Sequence, residues 1–452
     1  MSSPMEKTLS DNSPSFVSTI VEAAPQKDEE KVVEVCEEEP LPPPLEFPDG
    51  GWEAWMTVFG SATLLFGTFG VVSSYGVFQA YYEETFSVGT SNSLISFTGS
   101  LQFFIQQFGG LLVGPIWDTT GVKYLLPVSA ACTALSLFTL SVCQPGKEHF
   151  WQVVLAQGVL MGTATAMTFS IALAVCSHWF AKHRGTAMGM VVSGSSLGGI
   201  VVPLIFENLV HKIGFGWTVR TIGFISMFCY AIAFFTIRTR LPFGKRRSLR
   251  KSIDWVAFKD PTFTLLSFCF PFVLAGFSIP YYFIQIFAGH YHVKSTITDN
   301  LVTIMNASAF VGRILAGIVG DRVGKFNATI PITFLCCLLC YLNWLLGASN
   351  GPALVVFAVL YGAASGSLIS LGPASVAEIS PRDKVGARIG TNLACVSVGS
   401  VLGPVIAGAI AQEVKPKTIR GVILFAGSLF AVATVFSIAA RLSVSRKLRT
   451  KV

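Results

Sequence analysis

The sequence predicts an all-α membrane protein in which twelve membrane-spanning helices form two bundles of six. Three observations support this prediction. The residues AVILMFWYC make up 52% of the 452-residue chain, and charged residues make up only 13%, about half the share found in a soluble protein. Twelve apolar runs follow one another, and the second six repeat features of the first six. This composition excludes a disordered chain and leaves no water-facing surface for an ordinary soluble domain.

The first 46 residues differ from the rest of the chain. They contain 11 acidic residues and three lysines, and their end is rich in proline. Such a segment buries too little apolar surface to fold by itself, so we predict a disordered, acidic cytoplasmic tail over residues 1–46. Because the tail lacks the apolar core of a signal peptide, the first membrane helix is the expected insertion signal.

Each apolar run is long enough to cross the membrane as a helix, which takes about 20 residues. Strict alternation with period two, which would indicate barrel strands, is absent from these runs. The first six runs lie near residues 54–81, 93–114, 124–143, 151–176, 186–209 and 217–237. The second six lie near residues 262–288, 299–319, 328–347, 353–376, 387–411 and 420–440.

These runs and the charges between them divide the chain into domains with a predicted orientation. We predict an N-terminal bundle at residues 47–240, a basic cytoplasmic linker at 241–260, a C-terminal bundle at 261–441 and a basic tail at 442–452. Basic residues of short loops favour the cytoplasmic side. With both termini in the cytoplasm, 21 basic residues lie inside and seven lie outside. We therefore expect cytoplasmic termini, in a protein of the plasma membrane.

Two short motifs show that the halves are related. Residues 114–121 read G-P-I-W-D-T-T-G, and residues 317–324, which lie 203 positions later, read G-I-V-G-D-R-V-G. Other matches occur at an offset of 201 residues: Gly185, Gly189, Gly198 and Pro203 correspond to Gly386, Gly390, Gly399 and Pro404. Several matches in register, at equivalent positions of the helices, predict a duplication of six helices.

Two parallel groups of six helices are typical of the major facilitator superfamily, which this chain resembles. The loop G-x-x-x-D-[RK]-x-G is the signature of that superfamily, and only the second copy here has the basic residue. The first copy has Thr119 instead. The segment entering helix 1 resembles the D-G-G-W motif of monocarboxylate porters, especially the fungal members, through Asp49, Gly50, Gly51, Trp52 and Trp55. The segment at 179–189 resembles that family's W-F-x-x-x-R-x-x-A-x-G, so the resemblance covers about residues 47–442.

The resemblance implies a gating function for the two repeated motifs. Asp118 and Asp321, in short loops, would hold helix ends of the opposite bundle together while the cytoplasmic side is closed. Their partners would be basic residues such as Arg184 and Arg388, and the positive N-termini of helices. A simple turn at the membrane surface is the alternative. The gating candidates are Asp118, Gly121, Arg184, Asp321, Arg322, Gly324 and Arg388.

Arg313 is the clearest candidate for contact with a substrate, because it is a basic residue within a membrane helix. It precedes Asp321 by eight residues, and Asn306 lies two turns earlier on the same face. A guanidinium group can bind a carboxylate or an enolate through two hydrogen bonds, and the monocarboxylate porters use an arginine at this place. The alternative is that Arg313 reaches the membrane surface or pairs with a neighbouring helix.

Two departures from that family argue against a proton–lactate mechanism. The porters place an aspartate one turn before the arginine and a lysine in helix 1, whereas this chain has Ala309 and no lysine between Trp52 and Glu83. Polar residues within apolar helices complete the candidate substrate contacts: Tyr75, Gln102, Gln106, Tyr281, Gln285 and Asn392. Each of these alone more often joins helices than binds a ligand.

The sequence therefore favours a secondary active transporter that moves a small organic anion or acidic metabolite by alternating access. Export of a fungal secondary metabolite is the favoured direction. Proton-coupled uptake of a monocarboxylate or vitamin and a non-transporting membrane sensor are the alternatives, and protons are an open candidate for the coupling ion. No P-loop, zinc motif or catalytic triad is present, so we predict no enzymatic activity, cofactor, metal or nucleic-acid partner. We expect a functional monomer surrounded by the lipid bilayer.

Overall fold

The computed structural model describes residues 48–86, 92–240, 255–298, 300–381, 384–411 and 415–445. The unit Met1–Glu46, which contains the predicted acidic tail, lies outside these residues, as do most of the predicted linker and the end of the basic tail. Among the described residues the regular elements are all helical, and ten helices are long and apolar enough to cross a membrane. One of the ten, Arg184–Thr236, is 53 residues long and bends at Gly214.

Dividing this bent helix at Gly214, and adding the less apolar helix Asn92–Thr120, gives the twelve predicted helices. In the first half they are α1 (Trp52–Tyr81), α2 (Asn92–Thr120), α3 (Val122–Leu140), α4 (Lys147–Trp179), α5 (184–213) and α6 (215–236). In the second half they are α7 (Pro261–His290), α8 (Leu301–Val323), α9 (Lys325–Gly347), α10 (Gly351–Glu378), α11 (Val385–Ile410) and α12 (Pro416–Val444).

The repeated motifs differ from the prediction in one respect, because their aspartates do not lie in loops. Helix α2 continues to Thr120 and α8 to Val323, so each aspartate stands on the last helical turn. A single glycine then separates two helices: Gly121 has φ 63° and Gly324 has φ 106°. This backbone conformation is strained for any residue with a Cβ atom. The helices extend beyond their predicted ends because polar residues and, in α2, Pro115 interrupt the apolar pattern without ending the helix.

Packing among the helices follows the predicted repeat. In the first half α1 packs against α5 and α6, and α4 packs against α2 and α3; in the second half α8 packs against α10, and α7 against α11 and α12. The two halves meet along α2 with α11 and along α5 with α8. Each of these two contacts becomes the other when every helix is replaced by its counterpart in the other half.

Large apolar side chains cover the outer faces of the helices. Phe235 of α6 is 72% exposed and Leu346 of α9 is 75% exposed. A soluble protein rarely exposes apolar patches of this extent, whereas lipid is the natural environment for them.

Candidate functional site

A cavity of about 570 Å³ lies between the two halves. Its walls come from α1, α2, α4 and α5 of the first half and from α7, α8 and α10 of the second. Most lining side chains are aromatic or aliphatic, including Phe69, Phe103, Phe169, Phe206, Phe277, Tyr281 and Ile369. Pockets that bind small molecules usually have volumes between about 300 and 1,000 Å³ and mainly apolar walls. The cavity therefore suits an organic molecule with a large apolar part.

Six of the eight predicted substrate contacts line this cavity: Tyr75, Gln106, Tyr281, Gln285, Asn306 and Arg313. The other two, Gln102 and Asn392, are not among the lining residues. Gln102 lies one turn before Gln106 on α2 and is fully buried. Asn392 of α11 donates a hydrogen bond to Ser267 Oγ of α7, 3.4 Å away and in its own half. A polar residue in an apolar helix can therefore face either the cavity or another helix.

Arg313 lines the cavity and also joins the two halves. Its side chain extends from α8, and the residue is 7% exposed. The Nη1 atom donates a hydrogen bond to the carbonyl oxygen of Val192, 2.9 Å away on α5, and another to Ser195 Oγ. Pairing with a neighbouring helix, the alternative left open above, is thus present in the same residue that faces the cavity.

The mouth of the cavity carries two carboxylates and one imidazole, those of Glu84, Glu207 and His211. All three are exposed, whereas Gln106 and Arg313 are buried. None of the three was among the predicted contacts, because charged residues near the end of a helix look like ordinary surface residues in a sequence. Among the described lining residues, Arg313 is the only lysine or arginine.

At the opposite end of the helices, two aspartates close the interface. Each stands on the last turn of one helix and binds the N-terminus of a helix in the other half. Asp118 of α2 accepts hydrogen bonds from the backbone N–H groups of Gly386 at 3.1 Å and Ala387 at 2.9 Å, both in the first turn of α11. The first N–H groups of a helix have no partner within the helix, and the helix dipole makes them attractive to a carboxylate. We refer to this end as the closed end.

Asp321 makes the equivalent contact between α8 and α5. Its carboxylate accepts hydrogen bonds from the N–H groups of Gly185 at 2.8 Å and Thr186 at 2.6 Å, and from the Thr186 hydroxyl at 2.7 Å. Lys325 Nζ lies 3.7 Å from Asp321 Oδ1 and also forms an ion pair with Glu378 at the end of α10. Lys325 and Glu378 were not among the predicted gating residues, because Lys325 begins the next helix beyond Gly324 and Glu378 lies 53 residues further along the chain.

The basic gating candidates lie around these contacts. Arg184 Nη1 donates a hydrogen bond to the carbonyl oxygen of Ala377 on α10, 3.0 Å away in the opposite half. Arg388 Nη1 donates to the Ile379 carbonyl oxygen at 3.0 Å, within the second half. Arg322 is exposed in the last turn of α8. The two aspartates therefore bind helix N-termini, as one of the two predicted modes, and Arg184 adds a separate link between the halves.

Glycines let the halves approach closely at the closed end. A Cβ atom on Gly386 of α11 would lie 2.8 Å from the carbonyl oxygen of Gly114 on α2. Likewise, a Cβ atom on Gly185 of α5 would lie 2.9 Å from the carbonyl oxygen of Gly317 on α8. Both distances are too short for real side-chain contacts, so the backbones touch directly there.

The D-G-G-W segment fixes the turn that precedes α5. Asp49 Oδ1 accepts hydrogen bonds from the backbone N–H groups of three consecutive residues at 2.7, 2.7 and 3.4 Å: Ala181, Lys182 and His183. Gly51 has φ 93°, and the Trp55 ring lies 5.1 Å from the Phe180 ring, whereas Trp52 is 79% exposed. The two segments that carry the resemblance to monocarboxylate porters therefore contact each other.

Comparisons with known proteins agree with this architecture. The family model described as Major Facilitator Superfamily matches residues 58–350 and 275–451. The MFS-type transporter pynF of Aspergillus niger is 38% identical over 400 residues, which cover 87% of this chain and 90% of the relative. The aspyridones efflux protein apdF of Emericella nidulans is 33% identical over 369 residues, which cover 81% of this chain and 74% of the relative.

Two solved structures share the fold. The human organic anion transporter MFSD10 superposes with a TM-score of 0.68 at 15% identity, and the match covers 86% of this chain and all of that one. The proton:xylose symporter XylE gives a TM-score of 0.68 at 13% identity, over 85% and 94% of the two chains. The chain thus belongs to the Major Facilitator Superfamily, and it is a multi-pass membrane transporter of small molecules, not an enzyme.

Proposed function

We propose that this transporter exports an aromatic or otherwise bulky organic acid, a secondary metabolite of the cell, and that Arg313 binds its anionic group. The observation behind this proposal is the combination of one buried guanidinium group with an aromatic cavity of about 570 Å³. A guanidinium group binds carboxylates and enolates well, while the aromatic walls favour a ring system. Lactate would fill only a small part of this volume.

The surroundings of Ala309 support a substrate other than that of the lactate porters. Ala309 is fully buried against α10, where a Cβ atom on Gly366 would lie 2.7 Å from the Ala309 Cβ atom. There is no room for a carboxylate at this position. This chain therefore lacks the acidic group that the porters place there. The D-G-G-W segment and its contact with the turn before α5 still favour a place near the fungal branch of monocarboxylate porters.

Relatives support export as the direction of transport. One of them is named as an efflux protein for aspyridones, and export of such a metabolite by this chain would protect the cell that makes it. Uptake of a monocarboxylate or vitamin is the second candidate, favoured by the D-G-G-W segment alone.

For the orientation, we propose that the closed end faces the cytoplasm and that the cavity opens to the outside, across the plasma membrane. The 21 basic residues assigned to the cytoplasmic side support this orientation. Alternating access would then separate α2 from α11 and α5 from α8 at the closed end while the mouth closes. Protons are the proposed counter-ion, because the carboxylates of Glu84 and Glu207 and the imidazole of His211 line the mouth. We propose a monomer in the bilayer as the functional unit.

The test is flux of radiolabelled 2-naphthoate into inside-out vesicles from yeast membranes that contain the transporter, with an acidic vesicle interior. We expect uptake that depends on the transporter, and a loss of at least tenfold in Arg313→Ala with partial recovery in Arg313→Lys. Arg420→Ala is the matched control, because Arg420 is exposed at the start of α12. Equal flux in wild type and Arg313→Ala would refute the anion site. Flux that occurs only with the opposite orientation of the vesicles would refute export.

A further inference from the structure

We propose that the substrate carries a hydrogen-bond donor besides its anionic group, and that Gln106 binds this donor while Arg313 binds the anion. This inference rests on the proposed function, because it assumes that an organic acid occupies the cavity. It narrows the class of substrate to acids that also present an O–H or N–H group. A simple monocarboxylate would still bind through Arg313, but more weakly than an acid that also carries a donor.

Three buried polar atoms around the cavity lack hydrogen-bond partners among the described residues. They are Arg313 Nε, Gln106 Oε1 and the Tyr281 hydroxyl. Gln106 is 1% exposed and Arg313 is 7% exposed. The Tyr281 hydroxyl lies near Ser365 and Arg313 but makes no hydrogen bond of acceptable geometry. Buried polar groups in proteins almost always have partners, so a cluster of unpaired ones around a cavity indicates a ligand that supplies them.

Two other polar side chains of the cavity contrast with these three. The Tyr75 hydroxyl donates a hydrogen bond to the Ile95 carbonyl oxygen, and Gln285 Nε2 donates to the Thr298 carbonyl oxygen at 3.2 Å. These groups are bonded to the chain itself.

The chemistry of the three atoms defines what they bind. Arg313 Nε is a donor and cannot accept, so its partner must be an oxygen that carries negative charge or a lone pair. The Tyr281 hydroxyl can donate to the same oxygen. Gln106 Oε1 can only accept. The amide of Gln106 is oriented by its own Nε2, which donates to Gln107 Oε1 at 3.4 Å, so Oε1 is the atom left for a ligand.

The two kinds of atom belong to opposite halves of the protein. Gln106 lies on α2 in the first half, whereas Tyr281 and Arg313 lie on α7 and α8 in the second half. A molecule with an anionic group and a donor would bridge the halves and satisfy both sides. An acid without a donor would leave the Gln106 oxygen buried and unpaired, which weakens binding.

Matched pairs of naphthoates test this inference on the purified, full-length transporter in lipid nanodiscs. Two acids with a hydroxyl group at different distances from the carboxylate, 6-hydroxy-2-naphthoate and 4-hydroxy-1-naphthoate, are each compared with their methyl ethers by calorimetric titration. The methyl ether keeps the acid and the rings but cannot donate. We expect at least one hydroxy acid to bind about tenfold more tightly than its ether, the effect of one hydrogen bond to a buried acceptor.

Gln106→Met should abolish this preference, because methionine has a similar shape but no amide oxygen. Gln102→Met is the matched control, since Gln102 lies one turn away and does not line the cavity, and it should keep the preference. The affinity ratio is measured within each variant, so a lower folded fraction does not change it. Equal affinities for both pairs in wild type, or a preference that persists in Gln106→Met, would overturn the donor requirement while Arg313-dependent binding stands. Binding that Arg313→Ala does not weaken would overturn the anion site as well.

Discussion

Asp321 accepts three hydrogen bonds from the first turn of α5, and Asp118 accepts hydrogen bonds from the N–H groups of Gly386 and Ala387 in the first turn of α11. The third bond comes from the hydroxyl of Thr186, and Lys325 also stands beside Asp321. The corresponding residue after Asp118 is Val122, so the first half has no such lysine. The hydroxyl of Thr186 and the ammonium group of Lys325 are therefore features of the second motif, because their counterparts in the first, Ala387 and Val122, carry no such groups.

We expect Asp321→Asn to reduce transport about tenfold at an equal amount of protein in the membrane. The substitution removes the charge and replaces one acceptor oxygen by an NH₂ group, and each lost charge-assisted hydrogen bond contributes about 1.5–3 kcal/mol. A smaller fraction of molecules then has this end closed. Thr186→Val, which loses only the hydroxyl bond, should have a smaller effect. Flux normalised to surface biotinylation measures both, and unchanged flux in Asp321→Asn would refute a gating function.

At the scale of the helices, the sequence predicted the number and order of elements but not all their ends. Apolar length predicted the spans because a helix in lipid needs about 20 apolar residues. The polar residues in the last turns of α2 and α8 resemble a loop in the sequence, so the helix ends there were not predicted. The break between α5 and α6 is one residue, Gly214.

The faces of the helices were less predictable than the helices themselves. Gln102 and Gln106 are one turn apart on α2, yet only Gln106 lines the cavity. Contacts between halves, such as that of Arg184 with Ala377, join residues 193 positions apart, and a single sequence contains no signal for them. The gate partners at helix N-termini were predictable because the motif resembled a known family.

Gly317→Ala should separate α5 from α8 at the closed end. A Cβ atom on Gly317 would lie 2.8 Å from the Thr186 Cα atom, and backbone cannot move aside as a flexible side chain can. We expect a shift toward molecules open at this end, measured as a longer distance between spin labels on the two helices. Gly408→Ala in α11 is the control, because nothing lies within 4 Å of its Cβ position. An unchanged distance in Gly317→Ala would show that the helices do not need this contact.

For the whole molecule, closure of the mouth has an electrostatic consequence. Glu207 is exposed in this structure, and the other titratable groups around the mouth are Tyr81, Glu84, His211 and Tyr282. Closing the mouth would remove these side chains from water. Burial disfavours a charged carboxylate, so a proton would be taken up as the mouth closes. Proton uptake from outside would in this way drive the return of the empty transporter.

We expect Glu207→Gln to make transport less dependent on external pH. The glutamine resembles a permanently protonated glutamate, so closure of the mouth no longer needs a proton. Flux at external pH values between 5 and 8, with a constant internal pH, is the measurement. Glu148→Gln is the control, because Glu148 is exposed in a short helix outside the cavity. Identical pH profiles in wild type and Glu207→Gln would contradict this role.

The hydrogen bonds of Arg313 to α5 have a consequence for the coupling between substrate movement and ion movement. Arg313 lines the cavity, and its Nη1 atom donates hydrogen bonds to the Val192 carbonyl oxygen and to Ser195 Oγ across the interface. A bound acid that takes hydrogen bonds from this guanidinium weakens its hold on α5. A bound substrate would therefore weaken the interface between α5 and α8. An empty transporter would change conformation more slowly. Such a carrier wastes little of the ion gradient on futile cycles.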